Sequence, residues 1–275
     1  MKNKYINLFL ALGVIGLAIL SAVLYERYAE LSAAVNRGNA DQTCPNAAEA
    51  DTVGMSVVTV SQSDGFYNIE AEYPRFDCVD PAFNQKISDL LNGKIDSFKK
   101  EAKDNFDARN ATMPEGQPAM QNPEQPFDFI ATMTSAQLSP RYESFMIDVY
   151  YFSGGAHGVD QIYAFNYDLA NKKEITIGDF LGSPAALDKL AAMSKDRVAA
   201  QLQSNGLQAD ESLAKMIQDG TKAVPDNYRN FTFGYGKLTV YFEQYQAAPG
   251  AYGTLAVDFF KNDLARNAIN TNYLD

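Results

Sequence analysis

The chain has 275 residues, with 23 basic and 34 acidic side chains and a formal net charge of −11. This balance argues against a nucleic-acid-binding protein, because neutralising phosphates requires a concentrated basic surface. Hydrophobic residues make up 46% and charged residues 21% of the chain, close to the roughly 45–50% and about 25% of globular proteins, which excludes wholesale disorder. A single histidine, two cysteines and no tryptophan remove most histidine- and thiol-based chemistries.

The first 25 residues predict a transmembrane anchor. Residues 5–25 contain no charge, and about 20 apolar residues cross the roughly 30 Å hydrocarbon layer as a helix. A cleaved signal peptide is the alternative, since Lys2 and Lys4 give a positive amino-terminal region, but the apolar run exceeds the usual length of roughly 7–15 residues. The positive-inside rule keeps these lysines in the cytoplasm. We therefore expect a single-pass protein of the inner or plasma membrane, with its body in the periplasm or at the cell surface.

The two cysteines, Cys44 and Cys78, are expected to form a disulfide, because extracytoplasmic compartments are oxidising. Closing the loop between them would stabilise the fold by about 4 kcal/mol in the chain-entropy model. Two free, buried thiols are the alternative.

The remaining chain divides into four regions by composition and pattern. Residues 26–53 are rich in Ala, Asn, Asp and Glu and predict a stalk or linker. Residues 54–113 predict an N-terminal α+β subdomain, in which two strands precede an amphipathic helix that begins at Asp80 and Pro81. Four prolines within residues 114–126 predict a surface loop or interdomain linker. Residues 127–275 predict a C-terminal α+β subdomain.

The C-terminal region alternates between strand and helix signals. Alternating apolar residues near 127–133, 145–151 and 163–169 predict strands, the last two of which form a long antiparallel hairpin. Ser183 and Asp210 are expected to cap two helices, and a glycine-flanked turn at Tyr235 to join two late strands. Because strands occur in antiparallel groups with helices between the groups, the predicted class is α+β, as two small sheet-plus-helix subdomains behind the membrane helix.

The hairpin turn is the main candidate for a binding site. Gly154, Gly155 and Gly158 flank His157, and glycines permit positive φ angles and close backbone approach to a ligand. In this interpretation His157 hydrogen-bonds a ligand at the rim of the sheet, together with Tyr151. The alternative is a plain turn whose imidazole bonds nearby backbone groups.

The residue inventory argues against catalysis. Ser153 lies only four residues from His157 and no Gly-x-Ser-x-Gly elbow is present, so a serine triad is not supported. A lone histidine cannot supply the ligands of a zinc site. Paired carboxylates stay open, since their separation in space is not visible in a sequence. We therefore expect no enzyme, no metal and no cofactor. Tyr245 and Tyr252 are further binding candidates, because tyrosine combines an apolar face with a polar tip.

Three stretches together resemble a bacterial extracytoplasmic family. They are residues 67–76 with 83–87, residues 151–158 with 165–169 and 178–181, and residues 238–253. Gly-Gly-Ala-His-Gly at 154–158 and the late Tyr-Gln-Ala-Ala-Pro at 245–249 carry most of the likeness. The family comprises the lysozyme-sensing part of RsiV-type anti-sigma factors and the non-catalytic accessory region of PdaC-type peptidoglycan deacetylases.

This resemblance implies a binding module without the family's other domains. Only residues 1–4 precede the apolar segment, so no sigma-binding domain is expected, and the chain ends without a metal-binding deacetylase domain. The expected function is recognition of a cell-wall component or of a cationic wall-lytic enzyme such as lysozyme. The alternatives are an envelope hydrolase that uses paired carboxylates or His157, and a purely structural envelope protein.

Overall fold

The computed structural model describes residues 54–77, 79–114, 118–139, 141–207 and 210–274. The predicted anchor and stalk, and with them Cys44 and Cys78, lie outside these residues. Within the described ranges, no helix combines the length and hydrophobicity that a membrane span requires.

A six-stranded sheet, called sheet A, forms the first half of the described chain. Its strands lie side by side in chain order: β1 (Met55–Ser63), β2 (Tyr67–Phe76), β3 (Phe127–Leu138), β4 (Tyr142–Phe152), β5 (Val159–Asp168) and β6 (Lys173–Glu174). All neighbours are antiparallel except β2 and β3, which are parallel. A parallel pair requires a long crossover, and the helix α1 (Pro81–Ala111) provides it.

Helix α1 covers one face of sheet A. Asp80 caps the helix by accepting a hydrogen bond from the Ala82 N–H, and Pro81 follows, as the sequence predicts. Its apolar stripe, which includes Phe83, Leu91 and Phe98, packs against side chains such as Ile147. This apolar layer is the first hydrophobic core of the protein.

The division of the chain differs from the prediction. The sequence pattern assigns residues 127–174 to a C-terminal subdomain, but β3 to β6 join β1 and β2 in one sheet. The loop at 114–126 therefore connects α1 to β3 within one unit and does not separate two units. Short-range pattern does not reveal this, because the pairing of Ile69 with Phe129 bridges residues 60 positions apart.

A second unit follows sheet A. A three-stranded antiparallel sheet, called sheet B, contains β7 (Phe231–Gly234), β8 (Lys237–Phe242) and β9 (Leu255–Phe260). Four helices accompany it: α2 (Ile177–Leu181), α3 (Pro184–Ser204), α4 (Glu211–Gly220) and α5 (Lys261–Arg266). Ser183 and Asp210 cap α3 and α4, which confirms both predicted helix starts. The predicted α+β class is confirmed.

Sheet B stands on the face of sheet A that α1 leaves open. The Phe233 N–H donates to Ser144 Oγ at 2.8 Å, and Asn166 Nδ2 donates to the Phe231 carbonyl at 2.8 Å. Ser144 and Asn166 pair across β4 and β5, and Ser144 Oγ donates to Asn166 Oδ1 at 2.7 Å. Gly234 sits so close to β3 that a Cβ there would lie 2.6 Å from the Ala136 oxygen. Strand β7 thus crosses β5, β4 and β3 in turn.

One acid is buried on the α1 side of sheet A. Glu143 is only 2% exposed and pairs in register with Leu138 and Tyr167. Its Oε2 atom has no hydrogen-bond partner among the described residues. Burial raises the pKa of Glu143 to about 9, because a charge in this surrounding would be poorly solvated. The side chain is therefore a neutral acid at pH 7.

We predict that Glu143 makes the protein less stable as the pH rises. In the unfolded chain Glu143 ionises near its usual pKa of 4.5, whereas the folded chain keeps the proton up to about pH 9. Its contribution to the free energy of unfolding is thus complete below pH 4.5 and falls as pH rises towards 9. Between pH 5 and 8, Glu143 should lower the free energy of unfolding of the wild type by on the order of 3–4 kcal/mol. The Glu143→Met variant should lack this decrease. Urea unfolding at several pH values measures this, with the exposed Glu211→Gln as control. An unchanged slope in Glu143→Met would contradict the assignment.

Candidate functional site

The part of sheet A beyond β7 presents an open surface on the side opposite α1. One row of residues crosses four strands: Glu70 pairs with Ile130, Ile130 with Tyr150, and Tyr150 with Asp160. Asp148 lies one step along β4 on the same face, because alternate residues of a strand share a side. We call this surface the acidic face and define it by Glu70, Glu72, Asp128, Ile130, Asp148, Tyr150 and Asp160.

An apolar pair lies at the centre of the acidic face. Ile130 is 44% exposed and Tyr150 is 38% exposed, although both belong to interior strands of the sheet. Their acidic neighbours in the row, Glu70 and Asp160, stand on either side of them. Exposed apolar groups rimmed by polar ones are typical of interaction sites.

The acids of this face carry an uncompensated negative charge. In the described ranges, none of the five forms an ion pair. Partial desolvation and then the neighbouring Asp160 raise the pKa of Asp148. A positive group brought to this face would relieve that repulsion.

The predicted turn lies at one end of the acidic face. Gly158 packs beneath the Tyr150 ring, where any Cβ would overlap the phenol. Gly154 has φ +97°, and a Cβ there would lie only 2.7 Å from Phe127 Cε1, so a side chain is disfavoured for two reasons. His157 is exposed, with Nδ1 2.9 Å from the Gly158 carbonyl oxygen. The turn thus supports Tyr150 through Gly158.

The three tyrosines predicted as binding candidates lie elsewhere, and Tyr150 is not among them. Tyr151 points to the α1 side of sheet A, where its ring lies 6.2 Å from Phe98. Tyr245 packs on Gly250 in the loop between β8 and β9, and Tyr252 contacts the hydrophobic core of the second unit. The structure therefore joins Gly158 of the turn to Tyr150 and does not bring these three tyrosines to the turn glycines.

Sequence reasoning missed the acidic face itself. Glu70, Asp148 and Asp160 come from three strands, and only the strand register brings them to one surface. The alternation of polar and apolar residues is visible in the sequence, but it does not reveal which strands are neighbours. Among the described residues, no three His, Cys, Asp or Glu side chains form a group that could hold a metal ion.

The fold is an α+β module with two parts, and comparison with known proteins shows which families it is similar to. Residues 60–160 match the family described as Deacetylase PdaC, and residues 179–270 match the Protein of unknown function family DUF3298. These two matches support a PdaC-like domain family, which confirms the PdaC side of the resemblance. The second match begins just after sheet A ends at Glu174. The two matches together indicate a domain associated with the cell wall outside the cytoplasm.

Two known proteins show how far the similarity extends. The chain is 24% identical over 226 residues to peptidoglycan-N-acetylmuramic acid deacetylase PdaC of Bacillus subtilis (strain 168). That match covers 80% of this chain and 43% of the relative, so the chain spans less than half of the relative's length. A DUF3298 family crystal structure from Bacteroides fragilis NCTC 9343 shares the fold with a TM-score of 0.54 at 14% identity, over 81% of this chain and 96% of that one.

We predict that Gly158→Ala displaces the Tyr150 ring and leaves the fold intact. The new Cβ overlaps the end of a flexible, partly exposed side chain, so the ring can swing away and the loss of stability should stay within about 1 kcal/mol. Nuclear Overhauser contacts between the Tyr150 ring and residue 158 measure the displacement. Gly155→Ala is the matched control, because its nearest neighbour would be 3.8 Å away. Contacts that persist in Gly158→Ala would contradict the packing described.

Proposed function

We propose that this protein is a cell-envelope binding module that holds a cationic protein on its acidic face, with a wall-lytic enzyme such as lysozyme as the leading partner. The observation that carries the proposal is the row in which Glu70 and Asp160 flank the exposed pair Ile130 and Tyr150. The predicted anchor would keep this module at the membrane, on the outer side.

The two kinds of side chain on this face have different roles. Unpaired carboxylates attract a positive partner over several ångströms and raise its association rate, an effect that salt weakens. Individual exposed ion pairs contribute little affinity, typically about 0.2–1 kcal/mol. The apolar pair supplies what the charges lack, because a central aromatic contact that excludes water provides most of the binding energy in many interfaces. Together, the carboxylates and the apolar pair are complementary to a basic protein that also has an exposed apolar patch.

The comparisons support the location of this activity. The Bacillus subtilis relative is by name a peptidoglycan deacetylase, so it acts on the cell wall. This chain spans 43% of that relative, and we infer that it serves recognition at the same wall and leaves the deacetylation to other domains. Enzymes that cleave the wall are then natural neighbours of the module.

Retention of lysozyme tests the proposal. The full chain, immobilised in mild detergent, should retain hen lysozyme at about 20 mM salt and lose most of it at about 500 mM, where the Debye length falls below roughly 5 Å. The triple variant Glu70→Gln, Asp148→Asn, Asp160→Asn should bind at least tenfold more weakly at low salt. The matched variant Asp96→Asn, Asp188→Asn, Asp196→Asn removes the same charge from exposed helix positions and should bind like the wild type. Equal loss in both variants would show a dependence on net charge alone.

The variants Ile130→Ser and Tyr150→Ser test the apolar pair separately from the charges of the acidic face. Each keeps every carboxylate and should weaken lysozyme binding at both salt concentrations. If the wild type retains no lysozyme under either condition, this partner is wrong, and a cell-wall component or a purely structural role replaces it.

One observation favours the hydrolase alternative. Asp148 and Asp160 lie diagonally across β4 and β5 on the acidic face, and burial, followed by the nearby Asp160, raises the pKa of Asp148. A pair of neighbouring carboxylates can act as an acid and a base. Incubation of the full chain with peptidoglycan decides this: soluble sugar release that Asp148→Asn abolishes would establish the enzyme. No release by the wild type would remove the alternative.

A further inference from the structure

Two aromatic side chains are exposed at one corner of sheet B. Tyr235 is 90% exposed at the turn between β7 and β8, and Phe260 is 56% exposed at the end of β9. Phe260 pairs in register with Lys237, and the next residue, Lys261, donates its N–H to the Gly236 carbonyl at 2.8 Å. The turn and the end of β9 are therefore adjacent, and the two rings belong to one surface.

The turn presents Tyr235 in a conformation that other residues adopt more easily. Tyr235 has φ 50° and Gly236 has φ 76°, the left-handed pair typical of a tight hairpin, for which Asn-Gly is preferred. The ring lies almost entirely in solvent, so it adds little to the packing that stabilises the fold. Non-glycine residues held in this conformation often mark functional sites.

Two polar groups beside Phe260, on the same face of sheet B, form a neutral pair. Lys237 Nζ lies 2.8 Å from Asp258 Oδ2, and both side chains are partly exposed. Asp258 also accepts a hydrogen bond from Thr239 Oγ1 at 2.6 Å, which fixes the carboxylate. This corner thus combines two apolar rings with a donor and an acceptor that balance in charge.

We propose that Tyr235, Phe260 and the Lys237–Asp258 pair form a binding site for a glycan strand. A pyranose ring has an apolar C–H face that can stack on an aromatic ring, and hydroxyl or acetamido groups at its edge that bond to charged side chains. Consecutive sugars of one strand would contact the two rings in turn. The site is separate from the acidic face and goes beyond the function proposed above.

Charge favours this ligand over a lipid surface or a second protein. A chain with net charge −11 is repelled by anionic headgroups, and Lys237 is already neutralised by Asp258. A protein partner would need a continuous apolar area, whereas here the exposed apolar groups are two rings beside a charged pair. An uncharged polar polymer matches such a surface.

Binding to purified, insoluble peptidoglycan sacculi and to soluble chitohexaose tests the site. The full chain in detergent should sediment with sacculi, and Tyr235→Asn combined with Phe260→Ser should reduce the affinity for chitohexaose at least tenfold. Tyr235→Asn alone should weaken binding several-fold without lowering the melting temperature, because asparagine suits the left-handed conformation. Val224→Asn, which removes another exposed hydrophobic side chain, is the control and should bind like the wild type.

Each other outcome has a definite meaning. Wild-type affinity in the double variant, or no sedimentation of the wild type with sacculi, would overturn the proposal. So would Tyr235-dependent retention on anionic phosphatidylglycerol vesicles in place of sacculi. The triple variant of the acidic face should bind chitohexaose normally, so that failure of this site and failure of lysozyme recognition can be told apart.

Discussion

The contact between β7 and the open face of sheet A organises this protein. Strand β7 is an edge strand, and its outward N–H and C=O groups need partners. Ser144 and Asn166 supply them from side chains, with no additional strand. Both hydroxyl functions of Ser144 are used, because Oγ accepts from Phe233 and donates to Asn166. Two polar residues in mid-sheet therefore fix where the second unit stands, and this position decides which part of sheet A stays accessible.

The two faces of sheet A follow from one alternation of side chains. Residues such as Phe145 and Ile147 point to α1 and form an apolar core, whereas their neighbours on β4 point the other way. On that side β7 and the second core cover the end near Tyr142, and the stretch from Met146 to Tyr150 is left without a layer above it. Like charges gathered on the exposed stretch repel one another, so this surface is less favourable for the isolated protein than a mixed one would be. A bound cationic partner would reduce this electrostatic repulsion. The unfavourable charge of the unbound protein is therefore consistent with the proposed function.

Local chemistry in the sequence predicts the parts of this fold that depend on neighbouring residues. Helix starts at Asp80, Ser183 and Asp210 follow from a capping side chain beside a proline or an apolar run, and all three are confirmed. The hairpin of β4 and β5 likewise follows from alternation and a glycine-rich turn. The parallel pairing of β2 with β3 does not, because it depends on how α1 packs and on contacts across the whole sheet. The acidic face depends on that same pairing, which is why its residues could not be selected from the sequence, whereas Gly158 could.

The two proposed surfaces lie on sheets that contact each other directly. Sheet B contacts sheet A through Ser144, Asn166 and the close approach of Gly234 to β3, so the proposed glycan site and the acidic face belong to one module. A modest affinity for wall glycan would hold the module where wall-cleaving enzymes work, and binding to one such enzyme would then take place at a high effective concentration. Salt-sensitive attraction alone would give a fast but weak complex, since steering raises the association rate more than the affinity. Attachment to the wall substrate compensates for that weakness, because a partner that dissociates stays on the same strand.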